Sequence, residues 1–135
     1  MATNNTAEAT MKKLEKEMVG KTSITLEDEA GVTYVAKFPR KLVKEMEERG
    51  VTADYASKVV SEGTVAASDK FFEEFVLPAF NVEQKMTLEQ VEDLFEGLED
   101  PMVVISALII LFTAPVRALF EKKNPTQTRT KFSLV

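Results

Sequence analysis

The chain of 135 residues contains no cysteine, no histidine and no tryptophan, and only five glycines and five prolines. Without cysteine there is no disulfide framework and no thiolate metal site, which fits a reducing compartment. Without histidine as well, the commonest general base, the thiol nucleophile and the strongest metal ligands are all missing. The glycines stand alone at 20, 31, 50, 63 and 97, so no glycine-rich loop can cradle a phosphate, and there is no G-x-S-x-G. The carboxylates fall on polar faces of predicted helices, with no pattern that points to a buried, pKa-shifted acid. These absences predict a protein that is not an enzyme and carries no cofactor and no metal. The opening M-A-T-N-N-T-A-E-A-T has no apolar core of the kind a signal peptide needs, which predicts a cytoplasmic protein. A net charge of −5 disfavours nucleic acid as the main partner, because phosphate binding needs a clustered basic footprint.

Hydrophobic residues make up 44% of the chain and charged ones 29%, which predicts one globular domain rather than a disordered chain. The most apolar stretch is D-P-M-V-V-I-S-A-L-I-I-L-F-T-A-P-V-R-A-L-F at 100–120. Asp100 is placed to cap a helix whose first residue is Pro101. From 102 to 112 only Ser106 is polar, so this helix is apolar nearly all round and has to be covered by something. A membrane-spanning helix needs about 20 apolar residues. The clean run here ends at Ala114, before Pro115 and Arg117, which favours a central helix of a globular domain. Pro115 in a helix interior costs about 3 kcal/mol, so a break is expected there, with a second short helix to about residue 122. Ser106, Thr113 and Arg117 would form a narrow polar stripe if the helix continued. Nine large apolar side chains lie between 102 and 112, and covering them is worth on the order of 15–25 kcal/mol.

The rest of the chain reads as short elements. Met11, Leu14 and Met18 recur at helical spacing over 7–19, and Gly20 ends that helix. S-I-T-L-E at 23–27 and V-T-Y-V-A-K-F at 32–38 alternate around D-E-A-G, which predicts a β-hairpin. Glu27, Asp28 and Glu29 read as a solvated acidic turn rather than a cation site, because no further ligands are spaced to complete a shell. Pro39 opens a helix with Leu42, Val43 and Met46 on one side, stopped by Gly50. Thr52 caps a second from 53 to about 62, stopped by Gly63. A third is expected from Ser68 to Pro78, with Phe71 and Phe75 stacked four residues apart. Thr87 and Gln90 form a capping box before L-E-Q-V-E-D-L-F-E-G-L, whose inner side is Leu88, Val91, Leu94, Phe95 and Leu98.

The predicted fold is therefore mainly α (α+β), a helical domain with one N-terminal β-hairpin and a central apolar helix near the C-terminus. Residues 1–7 are expected to be a disordered leader, 8–123 the domain, and 124–135 a flexible basic tail. Charge divides the second half. From 73 to 100 there are nine carboxylates against Lys85, and after 100 there are five basic residues against Glu121. A solvated acidic face and a basic tail explain this, and head-to-tail attraction between copies is the alternative, so a homo-oligomer stays open.

One passage, SITLEDEAGVTYVAKFPRKLVKEMEERG, is followed by DKFFEEFVLPAF and then by MTLEQVEDLFEGLEDPMVVISALIILF. This order resembles the small tail assembly chaperones of long-tailed bacteriophages in size, in the strand-then-helix passage through F-P-R, and in the late acidic helix leading into an apolar one. The resemblance spans about residues 20–123. It implies a non-enzymatic protein of the host cytoplasm, absent from the mature virion, that binds the tape measure protein and tail tube protein during tail morphogenesis. It also implies a longer product made by programmed frameshifting, for which Glu121-Lys122-Lys123 is compatible with a slippery A-AAA-AAG run. The partner-binding residues expected from hydrophobic client capture are Phe71, Phe75, Leu108, Leu111 and Phe112, with the basic tail as a second contact; alternatively all five are core. A small structural head–tail or neck adaptor of the virion, or a helical regulatory binding module, are the competing readings. No membrane contact is expected.

Overall fold

The computed structural model describes residues 12–18 and 20–120. The leader at 1–7, the flanks of the first helix, the tail at 124–135 and the Glu121-Lys122-Lys123 motif lie outside the described residues. Helix α1 (12–18) leads through Gly20 into an antiparallel hairpin of β1 (Ile24–Glu27) and β2 (Thr33–Ala36). Then come α2 (Arg40–Glu48), α3 (Ala53–Glu62) and α4 (Val65–Phe71). A π-helical turn (Phe72–Val76) carries α4 into α5 (Leu77–Ala79), and α6 (Leu88–Glu96) and α7 (Pro101–Phe120) complete the order. With 64% of the structure helical and one two-stranded sheet, the fold is mainly α (α+β).

The hairpin forms where the alternation places it. Leu26 and Ala36 turn inward and are buried, and the register pairs Ile24 with Ala36 and Glu27 with Thr33. Its loop is closed by the Asp28 N–H donating to the Val32 carbonyl at 2.9 Å and the Gly31 N–H donating to the Asp28 carbonyl at 3.0 Å. Gly31 has φ +82°, a left-handed conformation that a residue without a Cβ adopts without strain. The outer edge of β2 is paired by a side chain. Gln84 accepts from the Val35 N–H at 3.0 Å and donates to the Val35 carbonyl at 2.9 Å, standing in for a third strand. Gln84→Ala is expected to leave that amide and carbonyl unpaired at a cost of about 1–3 kcal/mol. Thermal unfolding reads the loss, and hydrogen exchange at Val35 should accelerate with it.

The helix caps follow the sequence with one change. Thr52 accepts from the Tyr55 N–H at 3.1 Å, and Gly63 closes α3 with φ +64° while its N–H donates to the Val59 carbonyl. The next helix starts at Val65 rather than Ser68. Thr64 is the cap, accepting from the Ala67 N–H at 3.2 Å, while the Ser68 hydroxyl donates back to the Thr64 carbonyl at 2.7 Å. Threonine one residue after a helix-ending glycine supplies the first available acceptor, so the helix nucleates there. It also continues past Pro78. The Leu77 N–H reaches the Phe72 carbonyl, one residue further back than in an α-helix, and this widened turn sits directly before the proline. In a regular helix the Pro78 ring would press on the carbonyl of residue 74, and the wider turn relieves that contact.

The central helix also departs from expectation. α7 is continuous from Pro101 to Phe120 with Pro115 inside it. Proline's fixed φ is itself helical, so the residue removes one hydrogen bond without forbidding the conformation. The following V-R-A-L-F contains no glycine to release the chain. The Thr113 hydroxyl donates to the Ile110 carbonyl at 2.9 Å in the adjoining turn. Ser106, Thr113 and Arg117 are all half-buried along this helix. Its middle is enclosed by the domain, whereas Met102, Val103 and Val116 remain exposed. Among the described residues no helix is long and apolar enough to cross a membrane.

Phenylalanines form the centre of the core. Phe75 stacks on Phe71 with centroids 5.0 Å apart and an interplanar angle of 13°. It also meets Phe38 at 5.0 Å and Phe112 at 5.2 Å. Phe112 in turn lies edge-on to Phe38 at 5.1 Å. Phe72 bridges outward to Phe95 of α6 at 5.1 Å, again edge-on. Offset and edge-to-face arrangements of this kind add about 0.5–1.5 kcal/mol per pair beyond area burial.

Candidate ligand groove

The five residues expected to bind a partner are interior. Phe71, Phe75, Leu108, Leu111 and Phe112 are each 3% exposed or less and belong to one core cluster. In this arrangement they present no surface to a client. The reason is circumferential cover: α2 and α3 pack on α7, and the π-helical turn with α4 turns its rings toward the same centre. The middle of this apolar helix is enclosed by its own domain, while Met102, Val103 and Val116 stay exposed.

The surface with binding geometry lies elsewhere, between the hairpin turn and α6. An open groove of about 690 Å³ is formed there. Tyr34, Met86, Leu94 and Leu98 make its apolar floor, and Glu27, Glu29 and Asp93 stand on its rim. Leu94 and Leu98 are half-buried, whereas Val91 and Phe95 of the same helix are fully inside. The inner face of α6 is therefore divided, with one edge facing the core and the other the groove.

Each wall is fixed locally. On the hairpin side Asp28 is consumed by the turn: one carboxylate oxygen accepts from the Ala30 and Val32 N–H groups at 2.9 Å each, and the other accepts from the Tyr34 hydroxyl at 3.2 Å. On the α6 side Thr87 accepts from the Gln90 N–H at 3.2 Å, and the Gln90 side chain accepts from the Thr87 N–H at 2.8 Å, the reciprocal box expected from the sequence. Between them Asn81 clamps the loop, donating to the Leu77 carbonyl at 2.8 Å and to the Met86 carbonyl at 3.2 Å while accepting from the Met86 N–H at 3.1 Å. That clamp sets Met86 into the floor. The Gln84–Val35 pairing, the Lys37 N–H on the Ala79 carbonyl and the Lys37–Glu83 ion pair join loop to hairpin.

Electrostatically the groove is one-signed. Glu27, Glu29 and Asp93 form no ion pair or side-chain hydrogen bond among the described residues, and no basic side chain lines the groove. An apolar floor with an unneutralised acidic rim suits a segment that is both basic and apolar. Among the described residues no cluster of three or more acidic side chains is arranged to hold a metal ion. Partial burial, reinforced by the hydrogen bond to Asp28 and by its charge, raises the Tyr34 hydroxyl above the ordinary tyrosine value of 10.0. Tyr55 is raised as well, by burial and by the adjacent charge of Glu74. A folded-state pKa above the unfolded one means the neutral hydroxyl is favoured by folding. The stability this provides is intact below pH 10 and is lost as pH rises through the raised value. Denaturant unfolding across pH 8–12 should show a decline that begins near pH 10 and is smaller in Tyr34→Phe. With only two tyrosines in the chain, tyrosinate absorbance of Tyr34→Phe follows Tyr55 alone, and its difference from the unaltered chain follows Tyr34.

Residues 11–134 match a family described as a domain of unknown function, DUF5055. The chain belongs to the DUF5055 family. No curated protein and no solved structure matches it. In this DUF5055 domain the fold brings Glu29, Asp93, Leu94 and Leu98 together in the groove. By periodicity Leu94 and Leu98 lie on the inner face of a helix, and Glu29 lies in a solvated turn. Their proximity depends on two segments more than sixty residues apart in the chain, for which no local pattern exists.

Proposed function

We propose that this protein is a non-enzymatic assembly chaperone that captures a basic, amphipathic segment of a client in the groove between the hairpin turn and α6. The observation that carries the reading is the combination of an apolar floor with an unpaired acidic rim. The floor supplies burial at roughly 25 cal/mol per Å² of apolar area, and the rim selects for cationic flanks and keeps the complex soluble. The resemblance to tail assembly chaperones of long-tailed phages supports the identity of the client as the tape measure protein, with tail tube protein as second partner. On this reading the complex forms in the host cytoplasm and stays out of the finished particle. The role proposed for Phe71, Phe75, Leu108, Leu111 and Phe112 changes accordingly: they hold the domain that presents the groove.

Co-expression with a tape measure protein tests this directly. The client, insoluble alone, is expected to stay in the soluble fraction with this protein present and to co-purify with it. Mass spectrometry of purified particles should then find no copies of the chain. A fixed copy number in the particle would instead mean a structural adaptor.

A further inference from the structure

The rim of the groove is acidic, and a basic stretch of this chain free of carboxylates follows α7. Residues 122–135, K-K-N-P-T-Q-T-R-T-K-F-S-L-V, hold four cationic side chains and no acidic one, and finish on Phe132, Leu134 and Val135. The family match runs through residue 134, past the end of α7, and so takes in this stretch. We propose that, with no client bound, the groove between the hairpin turn and α6 is occupied by this same chain's residues 130–135, folded back along the molecule. The inference rests on the groove being the client site.

Length, pattern and concentration support this occupant. Leu98 in the groove floor lies three residues before the start of α7, and α7 then runs 20 residues, which at 1.5 Å per residue is about 30 Å. The fifteen residues after Phe120 extend at most about 50 Å, at roughly 3.3–3.6 Å each. Returning along α7 uses about nine of them and leaves T-K-F-S-L-V at the groove. In an extended segment Phe132 and Leu134 point to one face and Lys131 and Ser133 to the other. The first pair suits the floor of Met86, Leu94 and Leu98, while Lys131 and Arg129 suit the rim of Glu29 and Asp93. A tethered segment acts at an effective concentration in the millimolar range, which a second copy at micromolar concentration does not match. The tail is thus a competitor that a client must displace.

Because the chain has no cysteine, Ser133→Cys gives a single attachment point for a nitroxide spin label on the full-length protein. The amide signals of Leu94 and Gly97 are expected to broaden, unchanged on tenfold dilution, and to recover when Glu29→Lys and Asp93→Lys are added. Absence of broadening at low salt overturns the proposal. So does broadening confined to a mixture of isotope-labelled chains with separate spin-labelled ones, which would make the occupant a second copy. The synthetic peptide of residues 122–135 separates this from the underlying reading. It should bind the Arg129→Glu/Lys131→Glu variant roughly tenfold more tightly than the unaltered chain, whose groove is already filled. Equal affinity for both overturns the tail proposal and leaves the groove as a binding site. Binding to neither overturns the groove itself.

Discussion

Phe75→Ala is expected to remove about 3–5 kcal/mol of stability, the usual cost of deleting a fully buried aromatic ring. Phe75 is 0% exposed and touches Phe38, Phe71 and Phe112, so its loss opens a void bordered by the hairpin exit, α4 and α7 together. Those elements are held apart by backbone that is already hydrogen-bonded, so the void closes poorly. Unfolding entropy of about 2.1 cal/mol/K per residue gives about 0.28 kcal/mol/K for this chain, so Tm should fall by about 10–18 °C. Val65→Ala is the matched control: Val65 is 80% exposed, and a change within about 0.5 kcal/mol is expected. If Phe75→Ala shifted Tm no more than this control, the core would be wrongly assigned. Loss of client binding in Phe75→Ala should follow its loss of fold.

Asp93→Lys combined with Glu29→Lys should do the opposite, weakening capture of a basic client by about 10–100-fold while leaving Tm within about 3 °C. Both residues are exposed, and neither takes part in the bonds that hold the groove walls. Reversing two rim charges replaces attraction with like-charge contact at the edge of an apolar surface, where such contacts cost several kcal/mol. The effect should diminish with salt, because exposed charges are screened beyond about 8–10 Å at physiological ionic strength. Titration calorimetry or anisotropy with a tape measure fragment, at low and high salt, provides the measurement. Unaltered affinity in the double variant would place the client on another surface.

Much of the secondary structure was legible because it is encoded locally. The hairpin followed from alternation and the D-E-A-G loop, the α3 boundaries from Thr52 and Gly63, and the start of α6 from the Thr87–Gln90 box. Stacking of Phe71 on Phe75 followed from a spacing of four. Less legible were places where a local rule met a stronger neighbour. Pro115 was expected to end a helix and does not, since its φ is helical and the residues after it continue the turn. Pro78 was expected to stop a helix, and a π-helical turn carries the chain past it instead. Phe72, Phe75, Val76, Ala79 and Phe80 keep ordinary α-helical spacing, so the apolar pattern carries no sign of that turn.

By itself the sequence determined the chemistry: no thiol, no imidazole, no phosphate loop, one helix too apolar to leave uncovered, and a strong separation of acidic from basic segments. Only the tertiary structure decided which apolar residues are structural and which are available. Burial is a property of what packs across the chain. Leu94 and Leu108 look alike in their helical periodicity, yet one lines the groove and the other is fully enclosed. The acidic turn at Glu29 and the acidic helix at Asp93 become one site because the Gln84 side chain pairs with Val35 and joins the α5–α6 loop to the hairpin, a contact between residues 49 positions apart.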